Sequence, residues 1–444
     1  MTLENLTIRV RSSFWYLPCL YGIAALFAAY LTIKLDAIIG RNEVLYSQVP
    51  SIFLSDINLA QTILSSISAS LLTMTTITFS TILVVLTTYL SQFSPRTLQN
   101  FITDHSTQRV LGIFVGGFIY AILLLLLLRE DEFHTLFIVP VFAVIIAIVC
   151  LIVFVFFIHH VTTWIQVSNL IHDITVQTIS SIEANFKDKD EVTPDPPWDD
   201  WESDEIKHIT PRIVTFNKTG YIQLIDVVAL VEQARKDDSI IRIEKNLGDY
   251  IDQDTPLFSI WNFRQPLDIN NYIKHITVGA EKAPIGDIQF GLTKLVEIAL
   301  RALSPGINDP NTAVNSIEQL DKILTKLGKK HLPRPYHNDG DRNLRVIYEM
   351  PTYGDYLYRC FYQIRQYGSK DISVLVAIIK ALTLIAEANS KDIKNIIWDF
   401  GRYIMEGVDQ ESFLSLDRKY IHEKLLTLAK ATGQNHEIQA NLED

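Results

Sequence analysis

Four stretches in the first part of the chain are apolar and uninterrupted by charge: 14–33, 63–90, 111–128 and 137–158. Each approaches or exceeds the roughly 20 residues that a helix needs to cross a hydrocarbon core. The first reads as a span rather than a cleaved leader, because apolar sequence continues beyond Ala28 and Ala29 and three more spans follow. The 63–90 stretch is unusual. As a helix it would be about 42 Å long, more than the apolar thickness of a bilayer, so it should tilt or project.

Twelve positions in that stretch are Ser or Thr. Reading in steps of three and four gives Ser66, Ser70, Thr73, Ile77, Ser80, Val84, Thr87 and Ser91, so hydroxyls dominate one helical row. Two readings compete. Small hydroxylated residues allow close helix contact and hydrogen-bond back to the preceding turn. Equally, a ring of such rows can replace part of an ion's water shell and line a wet path. No acidic or basic residue falls in the stretch, so the buried carboxylates of a proton-coupled transporter are missing there. Pro95 should end the helix near Ser94, leaving Gln92 and Arg96 as an interfacial anchor or a collar at the inner mouth. Gly112, Gly116 and Gly117 offer a small-residue contact face.

After position 160 the pattern changes. A helical extension leads to a proline-rich stretch over 188–204, where eight positions are acidic. Short β-branched and aromatic runs follow at 220–226, 239–243 and 256–260, with a helix at 228–235, which predicts a small barrel or sandwich. From about 287 the period is helical, with helices expected at 292–303, 310–327, 354–367, 373–388, 391–405 and 411–429. The expected organisation is a four-helix transmembrane domain (1–165), a helix extension and acidic linker (166–210), a β-rich domain (211–285), a helical domain (286–432) and a short tail (433–444). In fold class this is an α-helical integral membrane domain followed by an α+β domain.

Charge sharpens this division. Up to position 160 the chain holds 7 Lys and Arg against 8 Asp and Glu, and beyond it 32 against 42. A membrane part is thus joined to an acidic soluble part, which argues against nucleic acid as the main partner. Four basic residues flank one side of the spans (Arg9, Arg11, Arg96, Arg109) and three the other (Lys34, Arg41, Arg129), a slight bias towards cytoplasmic termini. Three cysteines make no disulfide framework or thiolate metal site. No Walker loop, GxSxG, HExxH or dinucleotide glycine pattern occurs, so no cofactor, metal or catalytic set is expected.

The loop 304–310 packs two turn-forming pairs between helices, and Asp309 followed by Pro310 is a clean helix start. Four spans, the Ser/Thr helix ending in SQFSPR (91–96), the GYIQLID strand (220–226) and FGLTKLVEIALRALSPGINDPNTA (290–313) together resemble the bacterial membrane-protein family defined by domain of unknown function 2254. The resemblance implies a multi-pass bacterial inner-membrane protein with a cytoplasmic carboxy-terminal region. It singles out Arg301, Ser304, Asn308 and Asp309, and it carries no activity. The residues themselves lead to a homo-oligomeric passive channel preferring monovalent cations, with the soluble part as vestibule or regulator. The alternative is a non-conducting envelope scaffold or sensor whose soluble domain binds a protein or small ligand.

Overall fold

A computed structural model describes residues 15–92, 105–128, 136–164, 166–189, 206, 208–262, 267–280, 288–332, 335–409 and 412–434. The chain divides into two units, Met1–Leu170 and Ile171–Asp444. In the first unit, four helices of the described residues are long and apolar enough to span a membrane. They are α1 (Tyr16–Arg41), α3 (Ile57–Gln92), α4 (His105–Leu127) and α5 (Val139–Trp164), with a short α2 (Glu43–Gln48) after the first. All four reach, at one end or both, beyond the uncharged stretches that predicted them. In α1 the extension carries Lys34 and Asp36 inside the helix.

The helix α4 is the hub of this unit, with Phe114, Ala121 and Leu124 fully buried. In lipid there is little hydrophobic drive between helices, so close approach must come from small residues. The glycines of α4 provide it. A Cβ on Gly116 would lie 3.1 Å from the Tyr21 carbonyl oxygen, and one on Gly112 would lie 3.3 Å from Pro18 Cα, both on α1. Gly117 faces Cys150 of α5 and Leu71 of α3 instead.

One end of the unit is tied by polar contacts. Asp36, only 5% exposed, accepts a 2.8 Å hydrogen bond from the Ile138 amide, so a carboxylate on α1 caps the start of α5. Ser55 and Phe137 exchange backbone hydrogen bonds beside it, at 3.1 and 2.8 Å. Thr32 and Tyr120 join α1 to α4 through their hydroxyls, 2.9 Å apart.

A helix α6 (Val167–Asn185) runs through the division at 170/171, and two sheets follow it in the second unit. The sheets comprise β1 (Arg212–Thr215), β2 (Gly220–Ile225), β3 (Ile240–Ile243), β4 (Tyr250–Ile251), β5 (Pro256–Trp261), β6 (Ile276–Gly279), β7 (Tyr336–Asn338) and β8 (Leu344–Tyr348). Five strands run in the order β1-β5-β3-β8-β7, and three in the order β4-β2-β6. The helix α7 (Val227–Lys236), capped by Asp226 at the Ala229 amide, covers them together with the one-turn α8 (Asn270–Ile273). Ile222, Leu230, Ile241, Leu257, Phe258, Ile260 and Tyr272 form the fully buried core.

The sheet crosses the 285/286 boundary expected from the sequence, because β3 pairs in parallel with β8. Arg345, near the start of β8, is held by Asp339 (2.7 Å) and Asp238 (3.1 Å), so its charge is compensated where the strand is buried. The remaining helices are α9 (Ile288–Ala302), α10 (Pro310–Gly328), α11 (Tyr353–Gly368), α12 (Ile372–Ala388), α13 (Lys391–Glu406) and α14 (Ser415–Thr432). Each expected helix is present within a few residues. Asp309, Thr352 and Asp371 supply side-chain caps to α10, α11 and α12. The helix α12 forms the centre of this bundle, with Val374, Leu375, Ile378, Leu382 and Ile385 fully buried.

Candidate functional site: the hydroxyl face of the long helix

The helix α3 is a rod of about 54 Å. One face, formed by Ala60, Leu64, Ser68, Leu71, Thr78, Ile82 and Val85, is buried against the other helices of the unit. Ser66, Ser70, Thr73, Ile77, Ser80, Val84 and Thr87 are all exposed, directed away from the chain's own helices. Helix contacts among the described residues therefore do not account for this row. Ser91 and Gln92 complete the last turn of α3, and Arg96 lies outside the described residues.

Three hydroxyls of the row, and Thr76 beside it, are already engaged on the donor side. Ser70 Oγ donates to the Ser66 carbonyl (2.8 Å), Thr73 Oγ1 to Ala69 (2.9 Å), Thr76 Oγ1 to Leu72 (2.9 Å) and Thr87 Oγ1 to Val84 (2.8 Å). Such a hydroxyl has no proton left to offer and presents lone pairs outward. Ser70, Thr73 and Thr87 therefore present acceptors, which suit a cation or the protons of water, while the Ser66 and Ser80 hydroxyls donate no hydrogen bond among the described residues.

Two further hydroxyls escaped the row. Ser68 Oγ and Thr78 Oγ1 are buried on the opposite face and have no hydrogen-bond partner among the described residues. Helical spacing groups the two with each other. Only the packed structure shows that theirs is the buried side.

The 304–310 loop is occupied by its own hydrogen bonds. Ser304 Oγ donates to the Arg301 carbonyl (2.6 Å), and the Asn308 amide to the Ser304 carbonyl (2.9 Å), with Asn308 in the left-handed region at φ 50°. Asp309 accepts from the Thr312 amide (3.2 Å) and hydroxyl (2.6 Å). Arg301 sits exposed in the last turn of α9. The geometry is that of a helix connector. Asp309→Ala is expected to cost about 0.5–2 kcal/mol, the range for a lost N-cap. Thermal unfolding of the full-length protein checks it, and an unchanged melting temperature would remove the cap role.

Among the described residues no three His, Cys, Asp or Glu side chains come together to hold a metal. Burial pushes the Cys360 thiol far up, which suits a packing residue rather than a nucleophile. Two buried ionisable groups stand out in the second unit. Burial drives Lys294, above the Phe290 ring at 4.5 Å, down to about 8, and Asp321 up to about 6.

Residues 11–383 match the family model described as "Predicted membrane protein (DUF2254)". The chain belongs to this family. Similar members are the uncharacterized protein Mb1321c of Mycobacterium bovis and the uncharacterized protein Rv1290c of Mycobacterium tuberculosis, each 29% identical over 348 residues. Those alignments cover 74% of this chain and 64% of each relative, so the chain spans less than two thirds of their length. No solved structure matches it. Family membership accords with the four spans and the mixed α/β region that follows them.

Proposed function

We propose that this family member is a passive, cation-preferring channel of the bacterial inner membrane, formed by several copies whose α3 helices face one another. The carrying observation is the exposed row Ser66, Ser70, Thr73, Ser80 and Thr87, not packed against the described residues, with Ser70, Thr73 and Thr87 presenting acceptors. Brought together around an axis, such rows would supply oxygens in place of an ion's water while placing no fixed charge in the bilayer. The termini would lie in the cytoplasm, as the small Lys/Arg bias suggests, with the acidic second unit raising the cation concentration on that side.

The test is ion flux through purified protein in liposomes, with oligomer mass measured on the same sample. Thr73→Leu and Ser80→Leu are each expected to lower flux about tenfold, equivalent to ~1.4 kcal/mol of added barrier. Oligomer mass should not change. Unchanged flux in both variants removes α3 from the path. Absence of flux across voltage, pH and osmotic steps, from an intact oligomer, would favour the scaffold or sensor reading, in which the same hydroxyl rows pack dry against neighbouring copies.

A further inference from the structure

In the second unit, α10, α12 and α14 leave a groove of about 780 Å³ between them. That is the size of a site for a small organic molecule. Its walls are largely apolar, from Val314 on α10 and Val376, Ala377, Ala381 and Leu384 on α12. Leu384 remains 43% exposed, so apolar surface is left uncovered there.

Asp321 also lines the groove and is only 8% exposed. Lys322 and Lys380 act on it through space, against Glu318, and burial still outweighs them. Thr325 Oγ1 donates to Oδ1 at 3.0 Å, and no Lys or Arg pairs with the carboxylate among the described residues. On its own helix, Lys322 donates to Gln319 at 3.1 Å, while Glu318 is paired across the groove with Lys380 of α12 at 3.7 Å. Tyr353 of α11 turns its hydroxyl to the Leu324 carbonyl (3.2 Å), and α14 contributes Asp417 and Tyr420. With Glu318 and Lys380 cancelling, two carboxylates face one lysine.

Keeping a carboxylate out of water without a directly paired counter-charge is costly. Its placement on the wall of an apolar groove of ligand size is explained if the missing charge arrives with the ligand. We propose that this groove binds a small organic ammonium ion, its charged head paired with Asp321 and its apolar body against Val314, Val376 and Leu384. A divalent metal does not fit, since one buried carboxylate among aliphatic walls falls far short of the six to eight oxygens that calcium takes. An anion would meet Asp321 and Asp417. The proposal is independent of conduction through the membrane unit.

Protonation follows from the same burial. Asp321 loses its proton near pH 6, so the site is mostly charged at neutral pH and mostly neutral in mild acid. The experiment is calorimetric titration of the full-length protein in lipid nanodiscs with phenethylammonium, empty nanodiscs being subtracted. The uncharged probe is 2-phenylethanol. Saturable ammonium binding is expected at about pH 7.5, with affinity about tenfold lower at about pH 5, where most Asp321 is protonated.

Asp321→Asn should lose about tenfold in affinity and its pH dependence. Val376→Trp, which fills the groove and leaves Asp321 in place, should lose binding at both pH values with the melting temperature retained. No saturable binding up to millimolar probe overturns the proposal. So does equal affinity for the alcohol, or binding that survives Asp321→Asn unchanged.

Discussion

Gly116→Val is expected to break the packing of the membrane unit. The atom that a Cβ at this position would meet is the Tyr21 carbonyl oxygen, 3.1 Å away, with Tyr21 Cβ at 3.6 Å. A backbone carbonyl inside a helix cannot swing aside as a long side chain can, so α1 and α4 must separate. Separation also spoils the neighbouring approach of Gly112 to Pro18. Overpacking typically costs 1–3 kcal/mol, and a β-branched residue against backbone belongs at the upper end, so about 3 kcal/mol is expected. Thermal unfolding of the detergent-extracted protein, followed by size-exclusion profile, measures it. Gly306→Val is the control, because its added Cβ meets nothing within 4 Å. If both variants melt like the parent, the glycine contact does not set the spacing of these helices.

Asp321→Asn should raise stability, and only above a defined pH. The folded protein holds the Asp321 proton up to about pH 6, whereas an unfolded aspartate releases it near 3.8. Between those values the folded state binds more protons than the unfolded state. Stability therefore falls as pH rises through that window, by about 1.36 kcal/mol for each pH unit. The full difference is about 3 kcal/mol by neutral pH, and the penalty persists at higher pH. An amide keeps an oxygen to accept from Thr325 and carries no charge to desolvate. The variant should melt several degrees above the parent at about pH 7.5 and together with it at about pH 4. A parent and variant that differ equally at both pH values would show that Asp321 is not the titrating group.

The spans were legible because an uncharged run of that length has few other uses, and the helices of the second unit because their apolar positions repeat every three or four residues. The hydroxyl row was legible as a stripe from spacing alone. Its direction was not, since periodicity groups Ser66 with Ser70 and Thr73 but does not say which stripe faces the neighbours. Packing of Leu64, Leu71 and Val85 decides that.

Both β7 and β8 stayed hidden for another reason. Tyr336–Asn338 is very short, and Leu344–Tyr348 carries an arginine at its second position. Their stability comes from β3, far earlier in the chain, and from Asp238 and Asp339, which make Arg345 tolerable in the strand. Asp321 looks in the sequence like one more charged residue on an amphipathic helix. Its burial is a product of α12 and α14 arriving later in the chain.

The contact between Asp36 and the Ile138 amide has a bearing on how the molecule is made. The two residues are 102 positions apart, with two complete spans between them. A ribosome-bound chain that has released α1, α3 and α4 still lacks the amide that receives this carboxylate. The end of the first helix can reach its final environment only when the fourth is delivered. Insertion of α5 is thus also the step that closes the start of the chain, and a nascent chain halted before Ile138 would present an incomplete bundle to the machinery that inspects membrane proteins.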